Sequence, residues 1–287
     1  MYKLLILLML SVAICQPAEA QSDHQIDLIS EGHRFTEGPL WYDNALWFSD
    51  IPASTIYRWQ PEGETTVAVR PSSGANGLIV DTEGRLLMAQ HQARRIARLN
   101  SDGTQTSLAS HYQDKRLNSP NDLVLADSGT LYFTDPPFAV SAEEQELDFA
   151  GVFALHNGEL SLIDDELERP NGIILSPDQS VLYVTDAYQW KIYAYDVTAD
   201  GVSNKRLFAA LEGEYDQGMD GMAVAADGTL YVAGPEGIYV YTPAGELTER
   251  IALPDFTANV TLVETDRQVL YVTNQTEVFR IILNHKK

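Results

Sequence analysis

Six times along the chain the same five-position pattern returns: Leu46-Trp-Phe-Ser-Asp50, Leu86-Leu-Met-Ala-Gln90, Leu131-Tyr-Phe-Thr-Asp135, Leu182-Tyr-Val-Thr-Asp186, Leu230-Tyr-Val-Ala-Gly234 and Leu270-Tyr-Val-Thr-Asn274. The copies start 40, 45, 51, 48 and 40 residues apart. Each run is rich in β-branched and aromatic residues and too short for a helix, so each predicts a strand. An apolar strand precedes every copy, at Gly38 to Asp43, Gly77 to Asp81, Asp122 to Ala126, Gly172 to Ser176, Gly221 to Ala225 and Val260 to Glu264. Turn chemistry such as Thr82-Glu83-Gly84 and Asp227-Gly228 joins the pairs. A further short strand follows every copy, and a fourth follows five of them, the sixth ending without one.

That missing strand has a counterpart at the other end of the chain, where Gln25 to Ser30 is strand-like and precedes the first complete copy. Six four-stranded units of roughly 40–50 residues predict an all-β, six-bladed β-propeller with antiparallel blades, the ring closed by the N-terminal strand. Two β-sandwich domains are the alternative, but a sandwich does not require one four-strand unit at even spacing.

Charge then narrows the partners. The chain has 287 residues with 19 Lys+Arg against 41 Asp+Glu, a formal charge of −22. Such a chain lacks the basic stripe that tracks a phosphate backbone, so nucleic acid is excluded as a partner, and anionic membrane surfaces are disfavoured. Many of the acidic residues fall in the predicted turns. Residues 1–20 differ in composition from the rest, with Lys3, an apolar run from Leu4 to Ile14 and the small-x-small Ala18-Glu19-Ala20. This pattern predicts a signal peptide removed before Gln21, leaving residues 21–287 as one propeller domain that is exported to the periplasm or secreted, with no membrane attachment after cleavage. Lipidation at Cys15 is the alternative, although Ile14 is larger than the small residue expected before a lipidated cysteine. Cys15 is the one cysteine, so no disulfide framework or cysteine-rich metal site is available.

In a propeller the first strand of each blade lines the central channel, and the residues opening these strands converge at its mouth. Here they are Glu37, Asn76, Asn121, Asn171, Asp220 and, less securely, Asn259, spaced 39, 45, 50, 49 and 39 residues apart. Taken singly, the Asn-Gly and Asp-Gly pairs read as tight turns feeding a strand. Taken together, they place oxygen donors in phase with the repeat, including Glu37, where no turn former is needed. Carboxylate and amide oxygens suit a hard divalent cation, Ca²⁺ above Mg²⁺, and disfavour zinc.

The second strand of each blade returns to the same face, so Asp50, Gln90-His91, Asp135 and Asp186 are expected to border the mouth. His91 reads as a polar rim residue without an orienting partner, and Ala187-Tyr188-Gln189-Trp190 as aromatic surface. The long connection from Asp135 to Phe149 reads equally as a cover for the site or as a solvated acidic insertion. No P-loop, dinucleotide fingerprint, HExxH or GxSxG is present.

The strings EGPLW at Glu37, RLNSPNDLVLADSGTLYFTDPPF from Arg116, DFAGVFAL from Asp148, RPNGIILSPD from Arg169, LYVTDA from Leu182 and MDGMAV from Met219 resemble the gluconolactonase branch of the gluconolactonase/regucalcin (senescence marker protein) family. The resemblance implies a six-bladed propeller that uses one divalent metal ion, usually Ca²⁺, to hydrolyse sugar lactones. By motif it implies Glu37, Asn171 and Asp220 as metal ligands, Asp220 also as general base, and Asn121 as the pocket asparagine reaching metal or substrate. Asn76, His91 and Tyr188 are the further candidates for contact with a small lactone. The chemistry implied is polarisation of the lactone carbonyl by the metal and attack by water. Two other readings stay open at this stage: a phosphotriesterase or aryl-esterase on the same metal geometry, and a non-catalytic ligand-binding propeller.

Overall fold

The computed structural model describes residues 24–284 apart from 62 and 214–216; the expected signal peptide therefore lies outside the described residues. Six four-stranded antiparallel sheets form a ring, and the inner strands are Thr36–Tyr42, Ala75–Val80, Leu123–Leu125, Pro170–Leu175, Met222–Val224 and Thr257–Glu264 in blades 1 to 6. The recurring five-position pattern is the second strand of every blade, as its spacing predicts. One two-stranded ribbon, His111–Tyr112 with Lys115–Arg116, stands outside the blades.

The first three positions of the pattern are apolar in every copy because the strand packs on both faces. Leu270 and Val272 pack among Ala223, Ile238 and Ile251 of blade 5, whereas Tyr271 between them turns to Leu46 and Phe48 of blade 1. Period-two alternation thus feeds two neighbouring interblade cores from one strand. Trp41 of blade 1 stacks on Tyr271 of blade 6 with ring centroids 4.8 Å apart.

Ring closure is achieved by the N-terminal strand. Gln25–Ser30 pairs antiparallel with Glu277–Ile282, in register from Gln25 with Ile282 to Leu28 with Phe279, and completes blade 6. Arg280 Nη2 donates to Asp27 Oδ2 at 2.7 Å across that pairing. The first strand of the described chain and the last therefore share one sheet, in which Gln25–Ser30 covers the edge of Glu277–Ile282 and becomes the outer strand.

Candidate active site

The polar residues that open the inner strands sit where the pairing with the second strand breaks. Register shifts fall between Glu37 and Leu40, Ala75 and Leu78, Pro170 and Ile173, and Thr257 and Asn259. Such irregularities bend the backbone and re-aim the side chain, here toward the axis of the ring. The glycines that follow are explained by close approach between blades rather than by hairpin turns. A Cβ on Gly172 would lie 2.3 Å from Asp220 O, and one on Gly38, whose φ is +51°, 2.1 Å from Asn76 O. The hydroxyl of the recurring pattern then secures the next blade: Ser49 Oγ donates to Asn76 O at 2.9 Å, Thr134 Oγ1 to Asn171 O at 2.6 Å and Thr185 Oγ1 to Asp220 O at 3.0 Å.

These constraints converge on a cavity of about 370 Å³ at one face of the ring. Its floor is Glu37, Asn76, His91, Asn121, Asn171 and Asp220, all buried. The amides run head to tail: Asn76 Nδ2 donates to Asn121 Oδ1, Asn121 Nδ2 donates to Asn171 Oδ1, and the Asn171 side chain hydrogen-bonds the Asp220 carboxylate. His91 Nε2 lies 3.0 Å from Asn121 Oδ1, and burial pushes its imidazole down to about 4, so it is neutral at physiological pH. His91 is thus a floor residue with a partner, not the rim residue its sequence context suggests.

Electrostatics single out the two carboxylates. Burial pushes Glu37 up to about 8, despite an accepted bond from Gly38 N, and Asp122 adds to the effect. Asp220 is raised well above the usual carboxylate range by burial first and then by Glu37 and Asp122. Asp122 itself is raised to about 6, chiefly by burial. Asn259 does not line the cavity; its side chain hydrogen-bonds the Glu37 and Asp122 carboxylates from within the channel.

The residues fit a hard cation. Asp220 Oδ1 and Asn76 Oδ1 are buried without a hydrogen-bond partner, the donors are all oxygens, and the neighbouring carboxylates repel one another in the absence of positive charge. Among the described residues no group of three His, Cys, Asp or Glu side chains is arranged as a metal cage, so the donor set is two carboxylates completed by amides.

The residues ending the second strands have a different role from the one expected. Asp50 accepts from Arg34 N and Phe35 N, Asp135 from Asn118 N, and Asp186 from Glu168 N and Arg169 N, and none of the three lines the cavity. They fix the loops that lead into the inner strands. The 136–149 connection is likewise tied down, by Arg94 Nη1 to Glu144 O at 3.1 Å and by Asn118 Nδ2 to Phe149 O at 2.9 Å, and only Phe138 of it reaches the cavity. Tyr188 reaches the cavity as expected. Phe35 and Phe256, which sequence reasoning missed, complete the wall from positions two and three residues before Glu37 and Asn259. Their nearness to the ring positions was the available signal.

A six-bladed ring with a buried oxygen-donor floor at one mouth defines a propeller built around a small-molecule site. The model of the SMP-30/Gluconolactonase/LRE-like region matches residues 35–276, and the chain belongs to that family. It is 35% identical over 250 residues to a gluconolactonase of Zymomonas mobilis, covering 77% of this chain and 70% of that one. It is 26% identical over 259 residues to a regucalcin of Xenopus laevis, covering 86% and 85%. A solved gluconolactonase of Xanthomonas campestris superposes with a TM-score of 0.83 at 29% identity, covering 91% of this chain and 90% of that one.

Proposed function

We propose that this protein is a lactonase that opens a cyclic ester with water, using one divalent cation, Ca²⁺ on the chemistry of the donors. The observation that carries the reading is the pairing of Glu37 and Asp220, two buried carboxylates raised by burial and by neighbouring carboxylates, on a floor whose remaining groups are three amides and the neutral His91 imidazole. Membership in a family with a gluconolactonase 35% identical over 250 residues supports hydrolysis of a lactone.

Glu37, Asn171 and Asp220 hold the cation in this reading. When bound, the cation neutralises the two carboxylates and supplies Lewis acidity toward the lactone carbonyl. Asn121 and Asn76 orient the substrate at the floor, with Asn121 fixed by His91 and Asn76. Asp220, whose Oδ1 has no protein donor, accepts a proton from the attacking water. The water oxygen bonds to the acyl carbon, the ring C–O bond then breaks, and the proton taken up by Asp220 passes to the ring oxygen, which leaves as a hydroxyl.

The deciding experiment is proton release from a panel of five- and six-membered lactones by protein dialysed against EDTA and then supplied with Ca²⁺. Turnover absent in EDTA and restored by Ca²⁺ is expected. Metal-independent turnover, or none on any lactone, overturns the reading. Export rests on the composition of residues 1–20, and N-terminal sequencing of the cell-derived protein is expected to begin at Gln21.

A further inference from the structure

Above its polar floor the cavity changes character. Phe35 and Ile51 of blade 1, Phe138 of the 136–149 connection, Tyr188 after the second strand of blade 4 and Phe256 before blade 6 form the wall. Phe138 is 40% and Tyr188 57% exposed. Apolar side chains grouped around one opening, rather than scattered singly over the surface, mark a surface that a ligand covers.

These side chains are held, not merely present. The Phe138 turn is clasped by Ser119, whose hydroxyl donates to Pro136 O at 2.5 Å and accepts from Ala139 N at 3.1 Å. Ser119 lies two residues before Asn121, so the same short segment sets one floor residue and one wall residue. Asp186 accepts from Tyr188 N at 3.2 Å, and the Arg169 guanidinium lies 4.9 Å from the centre of the Tyr188 ring. The rings of Phe35 and Phe256 stack 6.5 Å apart across the junction of blades 1 and 6. A wall fixed in this way loses little freedom when a ligand arrives.

The geometry points to a neutral lactone bearing an apolar substituent, an alkyl chain or an aryl ring, with the ester on the polar floor and the substituent against Phe35, Phe138, Tyr188 and Phe256. This rests on the lactonase reading above and narrows its substrate class. Aromatic faces also stack on the C–H faces of sugars, so aromatic contact alone does not discriminate. Hydroxyl tolerance does. Among the described lining residues only Gln217 and Tyr188 bring polar side-chain groups above the floor, and both residues are exposed. Each sugar hydroxyl desolvated against Phe35, Ile51 or Phe256 would lose water without a replacement bond, which a hydroxyl-bearing substrate does not tolerate well. Anionic lactones are disfavoured by Glu37, Asp220 and the net charge of −22, and the same field repels the hydroxy-carboxylate product. The reaction is balanced by water alone: its oxygen bonds to the acyl carbon, the ring C–O bond breaks, one proton ends on the ring oxygen and the acid's proton is released.

The test measures kcat/KM of the full chain with Ca²⁺ on δ-valerolactone, δ-octalactone, δ-decalactone, dihydrocoumarin and D-glucono-δ-lactone. Expected is a rise of roughly four-fold per methylene the wall covers, with dihydrocoumarin and δ-decalactone at least about ten-fold ahead of the sugar lactone. Phe138→Ser and Tyr188→Ser, both at exposed positions, are each expected to lower the δ-decalactone to δ-valerolactone ratio by roughly ten-fold. A flat alkyl series with gluconolactone ahead, or a ratio unmoved in both variants, overturns the apolar assignment and leaves lactone hydrolysis standing. Failure on every lactone overturns the lactonase reading and this inference with it.

Discussion

Asp186 and Asp220 are both buried aspartates, both in phase with the repeat and both at the same end of the ring. Asp186 accepts from the backbone N–H groups of Glu168 at 2.8 Å, Arg169 at 3.1 Å, Tyr188 at 3.2 Å and Gln189 at 3.4 Å. Asp220 keeps one oxygen without a partner and faces the cavity beside Glu37. One carboxylate organises two loops, while the other holds unspent bonding capacity at a mouth that a ligand can enter. The lesson is that periodicity marks both layers equally and hydrogen-bond accounting separates them, since a buried acceptor left open needs an explanation that a satisfied one does not.

The sharpest way to break this contrast is to neutralise the cavity carboxylate. Asp220→Asn is expected to lower kcat about a thousand-fold at saturating Ca²⁺, as loss of a general base and a ligand charge together would. Calorimetry in EDTA should show no fall in Tm for that variant, because it removes a buried carboxyl whose ionisation is opposed by burial, Glu37 and Asp122. Recovery of turnover with excess metal would remove its role as base.

Asp186→Ala should do the reverse. Four N–H groups lose their acceptor, and urea unfolding is expected to show a loss of about 3 kcal/mol, while Ca²⁺ titration of the folded variant gives an affinity near that of the parent. A weakened Ca²⁺ affinity with stability intact would merge the two layers. Gly172→Ala probes the junction between them, since its Cβ would meet Asp220 O at 2.3 Å. A loss of about 2 kcal/mol is expected, together with weaker metal binding, because Asp220 must shift with its backbone.

The remaining test of the contrast is a pH dependence. Glu37 is raised to about 8 in the folded metal-free protein, so the stability tied to its protonated form is present below its ordinary value of 4.5 and lost as pH rises through about 8. In EDTA the Tm is therefore expected to fall between pH 5 and pH 9, and Glu37→Gln to flatten that fall. Identical slopes in parent and variant would place the titrating group elsewhere.

Much of this was legible along the chain. The recurring pattern located all six second strands, the unpaired Gln25 to Ser30 segment located the closure, and phase alone picked out Glu37, Asn76, Asn121, Asn171 and Asp220, which meet on one floor. Asp50, Asp135 and Asp186 carried the same phase and were indistinguishable from mouth residues by spacing. Whether a loop N–H is free to claim a carboxylate depends on how the chain returns to the next inner strand, for instance at Arg34 and Phe35 for Asp50.

The sequence by itself determined the number of blades, their internal order and the oxygen-donor ring, because each follows from local periodicity repeated at a fixed interval. Tertiary structure alone decided that His91 is buried under Asn121, that Asn259 bridges Glu37 and Asp122 inside the channel, and that Phe35, Phe138 and Phe256 join Tyr188 in the cavity wall. Those assignments depend on contacts between blades distant in sequence, such as Phe35 with Phe256. Burial and partner choice are properties of the closed ring, in which one blade's side chain meets another's, and no single repeat contains both halves of such a contact.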